Sequence, residues 1–268
     1  MNIVAFAGKK GSGKSTMCNF LHGYYMKSFG TIDGFEIMPS GDLVIETDVL
    51  DENNQISKSK GVIDVRRLDI DFAMWASSSM WPIVKHYAFA TPVKEIAIEL
   101  FGLKREHVYG SDDDKNQLTR YKWKDLIPES KKTGFVTVRE FLQTLGTEIF
   151  RKIYDDVWAE RTIKDILAEG PILATISDLR FPNEYSKVKE NNGKTIFLTG
   201  GVDGDKHSSE NSFDKMEFDA VIDTKTQTVD ESCHQLVTLL TEWEIIPKEI
   251  VVETPKPEKP NRGIGKIK

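Results

Sequence analysis

The segment Gly8-Lys9-Lys10-Gly11-Ser12-Gly13-Lys14-Ser15 constrains what this chain can fold into more tightly than any other stretch. It fits G-x-x-x-x-G-K-[ST], the loop whose backbone N–H groups wrap the phosphates of a nucleoside triphosphate. Its surroundings suit it. Asn2 to Ala7 is a short apolar run suited to a buried parallel strand. Thr16 to Lys27 reads as a helix with Phe20, Leu21 and Tyr24 on one face. Lys10, Gly11, Ser12, Gly13, Lys14, Ser15 and Thr16 are therefore the candidate triphosphate site. Lys14 can reach the β and γ phosphates, and the Ser15 hydroxyl can ligate Mg²⁺. The helix N-terminus adds partial positive charge. The alternative is a chance glycine turn, against which strand, spacing, lysine and serine argue together. The loop specifies a bound triphosphate and leaves the fate of its γ-phosphate open.

Bulk properties narrow the class. The 268 residues suffice for one large domain or a domain with an insertion, and a hydrophobic content of 39% builds an ordinary core. A net charge of −6 argues against wholesale binding to nucleic acid. Cys18 and Cys233 have no metal-ligand spacing, so a reducing compartment without disulfides is expected. No apolar run approaches the roughly 20 residues that span a bilayer, and no signal peptide precedes the loop. A cytoplasmic protein without membrane contact is the expectation.

The remaining chain alternates strand and helix patterns. Residues 34–85 interrupt that rhythm with β-type runs at 42–50 and 61–70 around a turn signal at Asp51-Glu52-Asn53-Asn54, read as an inserted antiparallel hairpin unit. A short helix follows at 72–80. His86 to Ala90 reads as a strand, and Thr91-Pro92 as an N-cap with proline at the first helical position. Residues 103–136 read as polar and loop-rich. Thr137-Val138-Arg139-Glu140 is a capping box opening a helix with Val138, Phe141, Leu142, Leu145 and Ile149 at helical spacing. A helix at 157–168, strands at 172–176, 194–198 and 220–222, and a helix at 229–243 complete the pattern. The expected fold is α/β, a three-layer P-loop sandwich with a mainly parallel sheet over residues 1–246. The tail from Pro247 to Lys268 reads as extended and poorly ordered.

Ligands of such sheets bind at the carboxyl ends of the strands. Three constellations fall there or beside it. Asp178 and Arg180 follow the strand at 172–176. An acid there can organise Mg²⁺ or hold a substrate group, and an arginine can clamp a phosphate bidentately, although the pair could merely shape a loop. Lys94 sits in a helix's first turn, where its charge opposes the helix dipole unless an anion lies nearby. Arg139, Gln143, Gly146 and Thr147 share one helix face. A glycine within a helix costs on the order of 1 kcal/mol, which close approach by a ligand or backbone would explain. Lys115 with Asn116, Trp158 and the His207–Glu210 loop are weaker candidates, and no zinc site is expected at His207.

Together these segments resemble the deoxynucleoside monophosphate kinases of tailed bacteriophages related to the T4-type enzyme. The resemblance is carried by the loop at 8–16, Phe89–Glu95, Arg139–Arg151, the trio Asp156-Val157-Trp158, Asp178–Glu184 and His207–Glu210. It implies ATP and Mg²⁺ at the phosphate loop and a deoxynucleoside monophosphate as acceptor, in the service of phage DNA precursor synthesis. It also implies acceptor contacts at Val93, Lys94, Lys115, Arg139, Gln143, Gly146, Thr147, Trp158, Asp178, Arg180 and Glu184. Lys14, Arg139, Arg180 and Asp178 would carry the transfer. Two departures stand out. The family often has an arginine just after the strand ending Phe197-Leu198-Thr199, and this chain has none there; Arg151, Arg120 and Lys206 are the replacement candidates. The 34–85 insertion is absent from the shorter T4-type form, so no contacts of a homodimer carry over. Two other readings remain: a kinase acting on a hydroxyl, with Asp178 as base, and a nucleotide-switched binding protein using the insertion as its partner surface.

Overall fold

A computed structural model describes residues 1–50, 56–67, 69–201, 213 and 216–246. The turn expected at 51–54, the His207–Glu210 loop with Lys206, and the tail from Pro247 lie outside the described residues.

The central strand β1 (Asn2–Gly8) feeds through the glycine loop into α1 (Lys14–Ser28). The insertion follows as β2 (Gly34–Ile37), β3 (Leu43–Leu50), β4 (Ile56–Ile63) and α2 (Ile70–Ser79). Then come β5 (Val84–Tyr87), α3 (Thr91–Glu99), the short helices α4 (Arg105–Tyr109) and α5 (Asp112–Lys115), β6 (Leu118–Lys122), α6 (Trp123–Leu126) and β7 (Phe135–Thr137). Helix α7 (Val138–Gln143) continues through a π-helical stretch, Thr144–Phe150, into α8 (Arg151–Ile153). The chain ends on α9 (Val157–Glu169), β8 (Leu173–Leu179), α10 (Pro182–Glu190), β9 (Lys194–Leu198), β10 (Ala220–Ile222) and α11 (Val229–Glu242).

Five strands form a wholly parallel sheet in the order β10-β9-β1-β8-β5. The chain leaves β1 for the far edge at β5, returns to β8, and crosses to β9 and β10 on the other side. The order therefore reverses around β1, and a crevice opens at the carboxyl end of that strand. Alternation along β1 divides the core. Val4 and Phe6 pack with α1, α2 and α11 through Leu21, Ala76 and Leu236. Ile3, Ala5 and Ala7 pack on the other face with α9 and α10 through Ile163, Ile166 and Val188. That is the expected three-layer sandwich. Cys18 and Cys233 are both buried and unpaired.

Five sequence expectations need correction. The inserted hairpin has a third strand, β2, and forms the antiparallel sheet β2-β3-β4. Its last strand ends at Ile63 rather than running to Ile70, because the Asp64 carboxylate accepts the Arg66 backbone N–H at 3.0 Å and bends the chain. The stretch 103–136 is not simply loop. It carries α4 to α6 and the β6–β7 pair, seated on a small core of Val108, Trp123, Val136 and Phe141. Finally, β5 spans Val84–Tyr87, and α3 is N-capped by Ala90 rather than Thr91, with no side-chain cap of its own.

The insertion packs directly against the loop-bearing helix. A Cβ on Gly23 of α1 would fall 2.3 Å from Phe35 and 2.9 Å from Leu43, so only glycine lets β2 and β3 approach this closely. Gly41, in the β2–β3 turn, lies against Thr16, and the Asn19 amide donates to its carbonyl at 2.9 Å.

Candidate active site

The glycine loop is shaped from its own side and from a neighbouring strand end. Gly8, Gly11 and Gly13 all hold positive φ, which lets the backbone curl inward. The Lys14 ammonium lies inside that curl, donating to Gly8 O at 2.7 Å, Lys9 O at 2.6 Å and Ser12 Oγ at 3.2 Å. Ser15 is exposed at the helix start. Thr224, just beyond β10, braces the loop: its hydroxyl donates to Ser12 O at 2.9 Å and accepts from Gly200 N at 2.9 Å. A Cβ on Gly201 would fall 2.5 Å from Lys10 O, so the loop after β9 also presses on it. Thr224 and Gly201 lie at strand ends, where ligands of such sheets bind, but β10 is only three residues long and carries no motif that marks them.

Asp178 stands on a bulge. The β1–β8 register steps from Ala5↔Ile176 to Ala7↔Leu179, and the extra residue re-aims the side chain. Its two oxygens accept the Phe89 N–H at 2.8 Å and the Ala90 N–H at 3.0 Å. Asp178 thus fixes the N-terminus of α3 from another strand, which is why that helix needs no cap of its own. Helix α3 in turn carries Lys94, half-buried, with its ammonium 4.6 Å from the centre of the Tyr109 ring. Burial pulls the Lys94 pKa down to about 8; Asp178 opposes the shift, and Lys115 and Arg66 add to it. Lys115 is shifted down for the same reason, with Asp112 opposing and Arg139, Arg66 and Lys10 adding. These cations crowd one another at a single place.

Arg139 stands in the first turn of α7, after the capping box in which Thr137 Oγ1 accepts from Glu140 N at 3.2 Å. Its guanidinium donates to Asp112 Oδ1 at 2.7 Å and to Asn116 Oδ1 at 3.3 Å. The other oxygen of Asp112 is paired with Lys10 of the glycine loop. Lys10 and Arg139 hold the Asp112 carboxyl down at about 2. One carboxylate therefore spans the gap between the glycine loop and helix α7. Nothing in the acidic run 112–114 marks it for that position.

Other expected acceptor contacts lie one layer deeper. Val93, at 7% exposure, packs beside Gly146, where a Cβ would sit 3.6 Å from its methyl group. Trp158 is buried and donates its indole N–H to Gly146 O at 3.1 Å, a carbonyl that also closes the π-helical turn with Arg151 N. Glu184 is buried too. Its carboxylate accepts from Arg180 N at 2.9 Å, Phe181 N at 3.1 Å and Arg151 Nη2 at 2.6 Å. Burial lifts its pKa to about 7, with Asp178 adding and Arg151 opposing. Val93, Gly146, Trp158 and Glu184 thus build the wall behind the crevice and present no open face to it. Gln143 and Thr147 do reach open space, lining a cavity of about 290 Å³ with Trp123, Lys132 and Glu140. Arg180 is exposed and its guanidinium has no hydrogen-bond or ion-pair partner among the described residues. Of the replacement lid cations, Arg151 is bound to Glu184, and Arg120 donates to Phe101 O at 3.2 Å and Tyr121 Oη at 2.9 Å. Neither is free to close over a phosphate in this conformation.

A glycine loop at the central strand, a lysine inside it and a cationic cluster across the same crevice define a kinase-like P-loop fold. The profile described as deoxynucleotide monophosphate kinase matches residues 93–232, just over half of the chain, and the chain belongs to that family. The matched stretch contains Lys94, Asp112, Arg139 and Asp178; the glycine loop lies upstream of it. A protein of Acanthamoeba polyphaga mimivirus, provisionally named a deoxynucleotide monophosphate kinase, is 27% identical over 165 residues, covering 56% of this chain and 80% of its own. The deoxynucleoside-5′-monophosphate kinase of Escherichia phage T5 is 28% identical over 149 residues, covering 40% of this chain and 60% of its own. Among the described residues no helix is long and apolar enough to cross a membrane.

Proposed function

We propose that the protein transfers the γ-phosphoryl group of ATP to a deoxynucleoside monophosphate, giving ADP and the diphosphate, and supplies DNA precursors in the cytoplasm of a phage-infected host. One observation carries the reading: a single carboxylate, Asp112, reaches both Lys10 of the triphosphate loop and Arg139 of the opposite wall. Two phosphate-binding regions that close together suit transfer between two phosphates.

The loop fits a Mg²⁺-triphosphate. Its glycines leave room for phosphate oxygens, Lys14 lies within it, and the Ser15 hydroxyl stands at the start of α1. Ser15, at the start of α1, would hold the ion through its hydroxyl. Bound Mg²⁺ would neutralise charge on the triphosphate.

In the transfer, an oxygen of the acceptor phosphate forms a bond to the γ-phosphorus as the bond from that phosphorus to the β-phosphate oxygen breaks. The second pKa of a phosphate monoester is near 6, so the attacking oxygen is already ionised at neutral pH and no general base is required. The protein's part is positioning and charge neutralisation. Lys14 leaves its carbonyl partners for the β and γ oxygens. Lys94, Lys115 and Arg139 hold the acceptor phosphate. Arg180, on the rim, meets the charge that develops between donor and acceptor. Asp178 keeps α3, and so Lys94, in place.

A hydroxyl acceptor would need a base, and Asp178 already receives two backbone N–H groups. The deciding experiment is ADP release measured against a panel of deoxynucleotides, ribonucleotides and hydroxyl acceptors. Release with deoxynucleoside monophosphates alone is the expected result. Release with a hydroxyl acceptor, or with none of the panel, overturns the reading.

A further inference from the structure

We propose that Arg66, carried on the turn between β4 and α2, is a further cation of the acceptor subsite and contacts the phosphate of the bound monophosphate. The inference rests on the kinase reading above and adds to it a residue from the insertion, a region in which the sequence shows no catalytic cluster.

The geometry places the turn at the crevice. Val65, immediately before Arg66, is 4% exposed and belongs to the same core as Met17 and Cys18 on the first turns of α1. The neighbouring β2–β3 turn touches Thr16 through Gly41. The β2–β3 turn thus lies at the start of the loop-bearing helix, and Val65 seats the β4–α2 turn in the core that this helix shares. Arg66 itself is held by Asp64, whose Oδ1 accepts from Nε at 2.9 Å and whose other oxygen lies 3.4 Å from Nη2. That pair leaves the Arg66 side chain 55% exposed. Its charge is felt at Cys18, His86, Lys94 and Lys115, residues on α1, β5, α3 and α5. Arg66 is thus within electrostatic range of residues on four elements that meet at the crevice.

The charge balance points to the ligand. Lys94, Lys115, Arg139 and Arg66 converge, and the carboxylates among them are committed. Asp112 spans Lys10 and Arg139, Asp178 holds two backbone N–H groups, and Asp64 anchors Arg66. A phosphate dianion relieves the mutual repulsion of the cations, and a guanidinium can meet two of its oxygens at once.

The test is equilibrium binding, which does not depend on turnover. Wild type, Arg66→Ala, Arg66→Gln and Arg66→Lys are titrated with the four deoxynucleoside 5′-monophosphates and with the matching deoxynucleosides, which lack the phosphate. ADP release by wild type is measured alongside. Expected are an at least tenfold weaker Kd for the monophosphates in both neutral variants, partial recovery with lysine, unchanged deoxynucleoside binding and an unchanged melting temperature. Equal monophosphate affinity in wild type and Arg66→Gln overturns the proposal. So does a loss shared equally by monophosphate and deoxynucleoside, or a wild type that binds no monophosphate. A wild type that binds monophosphates without releasing ADP overturns the kinase reading alone, and the Kd ratio still decides the role of Arg66.

Discussion

Arg151 and Arg180 carry the same side chain into opposite surroundings. Arg151 is 9% exposed, bonded to the buried Glu184 and stacked 3.9 Å from the centre of the Phe181 ring. Arg180 is exposed on the crevice rim. Arg151→Ala strands a buried carboxylate and is expected to cost about 3 kcal/mol of stability, read as a lower urea midpoint. Arg180→Ala is expected to leave that midpoint unchanged and to lower kcat/KM for the acceptor at least about tenfold, the worth of one charge-assisted clamp. Lys94 adds a pH dependence. With its pKa lowered to about 8, it is charged below that pH and neutral above it, whereas a bound phosphate favours the charged form. Acceptor KM should therefore rise as pH passes upward through about 8. Arg66, Lys115, Asp178, Glu95 and the Tyr109 ring all face this group, and Lys94→Arg, which stays charged, should flatten the profile.

At the scale of elements, the readable parts were those whose causes are local. The capping box at Thr137 and Glu140 announces α7, and the glycine loop announces β1 and α1. The cap on α3 was not readable as such, because Asp178 stands 89 residues from Phe89 and acts only once β5 and β8 are paired. Strand β2 is four residues long and shows its partner only in register with β3. Gly23 looks like a weak point in a helix until Phe35 and Leu43 are seen against it. Gly23→Ala should destabilise the protein by about 1–3 kcal/mol through overpacking, despite the higher helix propensity of alanine. Thermal melting would register the loss. A neutral or stabilising effect would mean that the insertion can move off α1.

Across the whole molecule, the alternation of strands and helices made a parallel sheet expected, but not the order in which β8 and β9 flank β1. In the candidate site, Lys14 was readable from its motif. The bridge through Asp112 was not, since it joins residues 102 positions apart. The fold also carries an acid sensitivity. His22 is fully buried, with Nδ1 2.8 Å from Cys18 O and Nε2 without a hydrogen-bond partner among the described residues. Burial lowers its pKa to about 4, and that of His86 to about 3. Between those values and 6.5 the unfolded chain binds protons that the native state refuses, so stability falls as pH falls through this window. His22 alone should account for about 3 kcal/mol of the loss, seen as a urea midpoint that drops between pH 6.5 and 4 and drops less in His22→Gln.

The Asp112 bridge has a consequence for the two ligands as a pair. In the resting protein Lys10 and Arg139 share one counter-ion. On the proposed two-nucleotide reading, a phosphate arriving at either cation competes with this carboxylate, and the second ligand meets a bridge already loosened. The two binding events should then be cooperative by linkage, each raising the affinity of the other by the same factor. Asp112→Asn should weaken this reciprocity, tightening each nucleotide when it binds alone while leaving the ternary complex little changed.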